Sequence, residues 1–237
     1  MQSIKPAAFK WRHFSGDLIL QCVRWYCKYG ISYRDLEEML AERGLSVDHT
    51  TIYRWIQHYA PELRKRVAWY QKSFSRHWYL DETYIKVRGE WKYLYRAIDE
   101  NGETLDFYLS HRRNAKAATR FIKKLIKRHK DSFPTVINTD KNPAYLQAIR
   151  HLKQDNSLPE HTKHKRIKYN NNQLESDHGK LKRLIKRVSG FQSMKTALAT
   201  LKGFEVMRMF KKGQFQCWIY GRRNEVSFIN ELFEIYS

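Results

Sequence analysis

The front of the chain repeats one helical rhythm three times. Between residues 16 and 29, Ile19, Cys22, Val23 and Tyr26 fall at i, i+3, i+4 and i+7, a single apolar stripe. Gly30 is placed to end that helix. A second helix is expected from Ser32, where Ser32 and Asp35 form an S-x-x-D capping pair and Leu36, Met39 and Leu40 face inward; Gly44 closes it. A third runs from about Asp48 to Tyr59 on Ile52, Trp55, Ile56 and Tyr59. Pro61 and the basic run Arg64, Lys65, Arg66 then read as a linker.

Behind residue 66 the rhythm changes to that of strands. HWYLDETYIKV (77–87), KYLYRAID (92–99) and TLDFYLS (104–110) are rich in aromatic and β-branched residues, and Arg88-Gly89-Glu90 and Glu100-Asn101-Gly102 separate them as turns, so they predict an antiparallel meander. A basic amphipathic helix follows at 114–130, with Ala118, Phe121, Ile122 and Leu125 inside. TVINTD (135–140) predicts a short strand, 142–155 a helix, HKRIKY (164–169) a fifth strand, and a long helix starts near Asn171 with Leu174, Leu181, Ile185 and Val188 buried. The fold class is therefore α/β, a mixed sheet in the order βββαβαβα behind a small all-α domain. That order is the one found in the ribonuclease H-like fold. The expected domains are residues 1–66, 67–190, and a C-terminal segment, 191–237, whose stripe of Met194, Leu198 and Leu201 and aromatics Phe210, Phe215, Trp218 and Tyr220 suit core packing or a dimer contact.

Charge adds a partner to this picture. The 237 residues carry 45 Lys and Arg against 24 Asp and Glu, a formal +21 spread along the whole chain, which calls for an anionic partner such as nucleic acid. No apolar run approaches the roughly 20 residues that cross a bilayer, and the N-terminus lacks the apolar core of a signal peptide, so a soluble, intracellular protein with no membrane partner is expected. Cys22, Cys27 and Cys217 make neither a disulfide framework nor a zinc finger, and Cys22 reads as a core residue. The second and third helices, within 31–60, form a helix-turn-helix pattern whose second helix would enter the DNA major groove with its N-terminal residues. His49, Thr50, Thr51, Tyr53 and Arg54 lie there. A plain three-helix bundle with solvated faces is the alternative.

Three carboxylates stand where an α/β sheet gathers its chemistry. Asp81 is mid-way along the first strand, Asp140 ends the fourth, and Glu175 begins the last helix. Convergent carboxylates repel unless a cation holds them, and all-oxygen ligands suit Mg²⁺ or Mn²⁺. Two such ions about 3.5–4 Å apart would serve in-line phosphoryl transfer. Lys182 is seven residues, close to two turns, past Glu175 and so on its face, as is His178; Lys180, Lys182, Arg183 and Lys186 could track a DNA backbone. Among the remaining acids, Glu82 alternates to the opposite face of the strand, Asp99 and Glu100 belong to a turn, Asp106 could face the site, and Asp177 lies on another side of the helix.

LDETYIKVRGEWKYLYRAID, NTDKNPAY and NNQLESDHGKLKR, together with VDHTTIYRWI, resemble the motifs of the DDE transposases of compact bacterial insertion sequences, and most nearly the IS-six family. Residues 141–174 separate Asp140 from Glu175 by 34, the family's spacing, and Lys182 matches its basic residue seven past the Glu. The resemblance implies a catalytic triad of Asp81, Asp140 and Glu175 with Lys182. It also implies binding to terminal inverted repeats and target DNA, joining of 3′-OH ends with cointegrate products, a homodimer or larger synaptic complex, and work at the nucleoid in the bacterial cytoplasm. A DNA-binding regulator without chemistry and a ribonuclease H-like nuclease remain the competing expectations.

Overall fold

The computed structural model describes residues 6–130, 132–167, 172–188, 190–215 and 224–235. They form two compact units. One holds residues 1–72, 184–189 and 195–237; the other holds 73–183 and 190–194.

The helical unit is built on α1 (Gly16–Tyr29), α2 (Tyr33–Ala41) and α3 (His49–Arg66). Gly30 ends α1 in the left-handed region, φ 69°. Ser32 and Asp35 make a reciprocal capping box at the start of α2, and the Asp48 side chain caps α3 by accepting from the Thr50 amide. The predicted stripes of α1 and α3 are all buried. The expected linker is overturned, because α3 continues through Pro61 to Arg66. Proline inside a helix costs about 3 kcal/mol. Here Ala60, Leu63, Arg64 and Val67 extend the buried stripe beyond Tyr59, and their burial outweighs the broken turn.

The tail belongs to this unit. In α7 (Met194–Lys211) the expected Met194–Leu198–Leu201 stripe is displaced: Leu198 is exposed, while Ala197, Leu201 and Phe204 are fully buried, as is nearly every position from Gly203 to Phe210. A helix buried on all sides lies within a core rather than on it, and α7 takes Glu205 and Arg208 into that core along with its apolar residues. Phe210 meets Phe228 of α8 (Glu225–Leu232) edge-on, and Phe215 packs tilted against both. Trp218, Tyr220 and Cys217 lie outside the described residues. Gly203 lets α7 approach α1 and α3, since a Cβ there would meet the Cys27 sulfur and come within 2.8 Å of the Ala60 methyl. Gly203→Ala is expected to lower stability by about 1–3 kcal/mol through overpacking, read as a lower urea midpoint with unchanged slope.

The other unit is a five-stranded mixed sheet in the order β3-β2-β1-β4-β5. Its strands are β1 (His77–Val87), β2 (Glu90–Asp99), β3 (Thr104–Ser110), β4 (Val136–Thr139) and β5 (Lys163–Arg166), with α4 (Ala115–Arg128) after β3, α5 (Pro143–Gln154) after β4 and α6 (Asn172–Arg187) last. The βββαβαβα order expected from the sequence is the observed one, and the arrangement is ribonuclease H-like. Arg88 and Gly89, both at positive φ, make the tight turn that starts β2 at Glu90. β5 is shorter than expected, ending at Arg166, and Tyr169 lies outside the described residues. α4 and α5 cover one face over a core that includes Trp78, Leu80, Tyr95, Phe121, Ile137 and Tyr145. Leu174 and Leu181 of α6 are fully buried, and Ile185 and Val188 nearly so.

Candidate active site

Parallel pairing of β1 with β4 runs His77↔Val136, Trp78↔Ile137, Tyr79↔Asn138. Two residues further along, the same register sets Asp81 level with Asp140. β4 stops at Thr139, so Asp140 stands at the carboxyl end of its strand, beside a β1 that continues to Val87. The chain then turns into α5. Asn142 is its N-cap, accepting from the Ala144 amide at 3.0 Å, and Pro143 begins the helix. The Asn142 amide in turn donates to Asp140 Oδ1 at 3.0 Å, fixing the carboxylate against the helix start.

Oxygen atoms of Asp81, Glu82 and Asp140 all lie within 4.8 Å of one another. Strand alternation sends Glu82 to the α4/α5 face, as expected, yet its carboxylate turns back to the sheet end beneath Asp140. Arg113, in the short link between β3 and α4, binds Glu82 through Nε and Nη2 and lies 3.8 Å from Asp140 Oδ2. Reasoning from strand period alone misses Glu82 and Arg113; the Asn-Pro step after Asp140 was the readable sign that a helix start abuts the site.

Glu175 is exposed on the first turn of α6. Its charge reaches Asp81, but it is not in the tight cluster. His178 Nδ1 lies 3.8 Å from Asp81 Oδ2. Asp177, set aside on sequence, and Asp106, which could have faced the site, are both structural. Asp177 is buried and pairs with the fully buried Arg96 at 2.5 Å, tying α6 to β2. Asp106 does not face the site; it pairs with Lys124 at 3.0 Å and Arg128 at 3.4 Å on α4. Asp99 is fully buried and caps the turn after β2, accepting from the Asn101 and Glu103 amides.

Burial, then Glu82, Asp140 and Glu175, push the Asp81 carboxyl up to about 7. Asp140 is raised by burial and by Glu82, with Arg113 and Arg166 acting against the rise. Such a set of convergent oxygens, raised by burial and by one another's charge, fits a divalent cation held by Asp81 and Asp140, with Glu175 near enough for its charge to reach Asp81. A carboxyl whose folded pKa exceeds its unfolded one makes the folded state hold the extra proton, so its contribution to stability falls as pH rises from about 4 to 7. In EDTA, Asp81→Asn is therefore expected to raise Tm by a few °C at pH 8 and to leave it unchanged near pH 4. An equal shift at both pH values would show that charge is not the cause.

Of the other sequence-assigned residues, Thr50, Tyr53 and Arg54 are exposed on α3 and Thr51 is half-buried. His49 is half-buried and held by Glu37 at 3.0 Å. Lys180, Lys182, Arg183 and Lys186 are exposed on α6. No helix among the described residues is long and apolar enough to cross a membrane.

Residues 75–214 match the family described as a DDE domain. The chain is 41% identical over 214 residues to a transposase for the insertion sequence-like element IS431mec of Staphylococcus aureus, covering 90% of this chain and 93% of that one. It is 40% identical, with the same coverage, to the transposase for insertion sequence element IS257 in transposon Tn4003 of Staphylococcus aureus. Among solved structures, the HTLV-2 integrase catalytic core domain in complex with magnesium aligns at 18% identity and TM-score 0.42, over 55% of this chain and 84% of that one.

Proposed function

This chain belongs to the DDE transposases of bacterial insertion sequences, of the IS-six type, and we propose that Asp81, Asp140 and Glu175 are its catalytic carboxylates. It is a DNA transposase, a polynucleotidyl transferase that uses divalent metal. The carrying observation for the site is the convergence of Asp81, in the middle of β1, with Asp140, at the carboxyl end of the adjacent parallel strand β4, their oxygens within 4.8 Å.

In this reading Asp81, Asp140 and Glu175 hold two Mg²⁺ or Mn²⁺ ions. When bound, such ions supply Lewis-acid activation of the attacking oxygen and neutralise charge on the leaving oxygen. The protein's own groups orient the reaction. Asn142 fixes Asp140, and His178 packs against Asp81. Lys182, seven residues past Glu175 on an exposed face of α6, grips a phosphate beside the carboxylates, and Lys180, Arg183 and Lys186 follow the backbone. Thr50, Tyr53 and Arg54, with His49 and Thr51 beside them, read the terminal inverted repeat from the start of α3. The freed 3′-OH is joined to target DNA to give a cointegrate, within a dimer or larger assembly that holds two ends together, at the bacterial nucleoid.

The test is a labelled duplex ending in the inverted repeat, taken from DNA flanking the gene, incubated with Mg²⁺ beside an Asp140→Asn control. Metal-dependent nicking at the repeat boundary followed by joining, both lost in the control, is expected. Cleavage that persists without metal would overturn the reading. Arg54→Ala is expected to reduce affinity for the repeat about tenfold or more while affinity for random duplex changes far less. An equal loss on both DNAs, in a competition shift assay, would remove α3 as the sequence reader.

A further inference from the structure

Glu82 lies beside the catalytic cluster on the apolar side of the sheet, with its side chain only 1% exposed. A carboxylate buried this deeply is costly unless it is paired. Oε1 accepts from Arg113 and from Asn142 Nδ2 at 3.0 Å. By strict hydrogen-bond geometry Oε2 has no partner among the described residues, and the buried Tyr145 hydroxyl is near enough to the Glu82 carboxylate to interact with it. Both groups that Glu82 binds also address Asp140. The Asn142 amide donates to Asp140 Oδ1 at 3.0 Å, and Arg113 Nη2 stands 3.8 Å from Oδ2.

The distances are unequal in an informative way. Arg113 directs two of its nitrogens at Glu82 and stays outside hydrogen-bond range of Asp140. A guanidinium free to choose would form a forked pair with Asp140, whose side chain is more exposed, and would occupy the oxygens a cation needs.

We propose that Glu82 is a positioning residue that holds Arg113 off Asp140, so that Asp140 keeps its oxygens open for the divalent cation while Asn142 fixes its orientation. The proposal rests on Asp140 being a metal ligand. Arg113 is thereby kept as a restrained positive charge at the rim of the cluster. Glu82 acts through Arg113 and Asn142, not as a ligand itself.

The test is Mn²⁺ titration of the full-length protein without DNA, followed by electron paramagnetic resonance, with thermal unfolding of each variant as the folding control. Glu82→Gln is expected to weaken Mn²⁺ binding about 10–100-fold, because Arg113 then turns to Asp140. Arg113→Gln alone is expected to change the affinity less than about threefold, and Glu82→Gln combined with Arg113→Gln to return it near wild type, a non-additive cycle. If Glu82→Gln does not fold, Glu82→Asp, one methylene short of Arg113, is expected to weaken binding in the same direction. A double variant as weak as Glu82→Gln would make Glu82 a direct ligand and overturn the proposal. Equal and opposite single effects would reduce it to simple charge, and an unchanged Kd with lowered Tm would reduce it to packing; either also overturns it. Asp140→Asn serves as the separate control: if Mn²⁺ binding survives that change, the assignment of the metal site fails, independently of Glu82.

Discussion

Replacing Asp140 by Asn is expected to cut strand cleavage and joining by about 10³-fold or more while binding to the element's end persists. The substitution is nearly isosteric. Asn keeps an oxygen to accept from the Asn142 amide, so the start of α5 retains its anchor. What it removes is one negative charge from a cluster in which Asp81 is already raised to about 7. The folded protein loses repulsion and, on the proposed assignment, the site loses a cation ligand, so metal-free stability should rise as activity falls. Asp81→Asn is expected to behave alike. Glu175→Gln should also abolish chemistry, although Glu175 stands apart from the tight cluster, because its place on α6 puts a third carboxylate over the sheet end. Denaturing gels for nicked and joined product, with a shift assay on the same DNA, check each variant. Retained cleavage in any one removes that residue from the site.

The second large effect concerns an acid with no chemical role. Asp177→Ala is expected to cost about 3–5 kcal/mol, because it removes the carboxylate that pairs at 2.5 Å with the fully buried Arg96 guanidinium. Arg96 faces Asp81 across the β1–β2 ladder, and Asp177 is two residues from Glu175, so this ion pair fastens the helix that carries Glu175 to the sheet that carries Asp81. Loss of the pair should therefore loosen residues 174–183 as well as lower the urea midpoint, which amide hydrogen exchange reads directly. Arg96→Met with Asp177→Leu, which removes both charges, should recover most of the stability. A cost below about 1 kcal/mol for Asp177→Ala would mean that apolar burial, as of Leu174 and Leu181, rather than this ion pair holds α6 to the sheet.

The amino-acid sequence by itself determined most of the elements and singled out the three carboxylates proposed as the triad. Helical stripes, the Ser32–Asp35 box, strand runs and the Arg88-Gly89 turn are local signals, and local signals survive folding. The positions of Asp81, Asp140 and Glu175 in that element order pointed to metal-assisted phosphoryl transfer, and the 34 residues between the last two, the spacing of the family it resembles, pointed to a transposase. Only the tertiary structure decided what surrounds them. Pro61 stays helical because burial of Leu63 and Val67 outweighs a local break, and α7 buries Phe204 where the stripe pointed to Leu198. Asp106 and Asp177 became buried ion pairs, and Glu82 rejoined the site, because each met an arginine or lysine from a distant part of the chain. A charged side chain is placed by its partner, and partners brought together by tertiary packing across 31 residues, as with Glu82 and Arg113, or 81, as with Arg96 and Asp177, leave no periodic trace in the sequence.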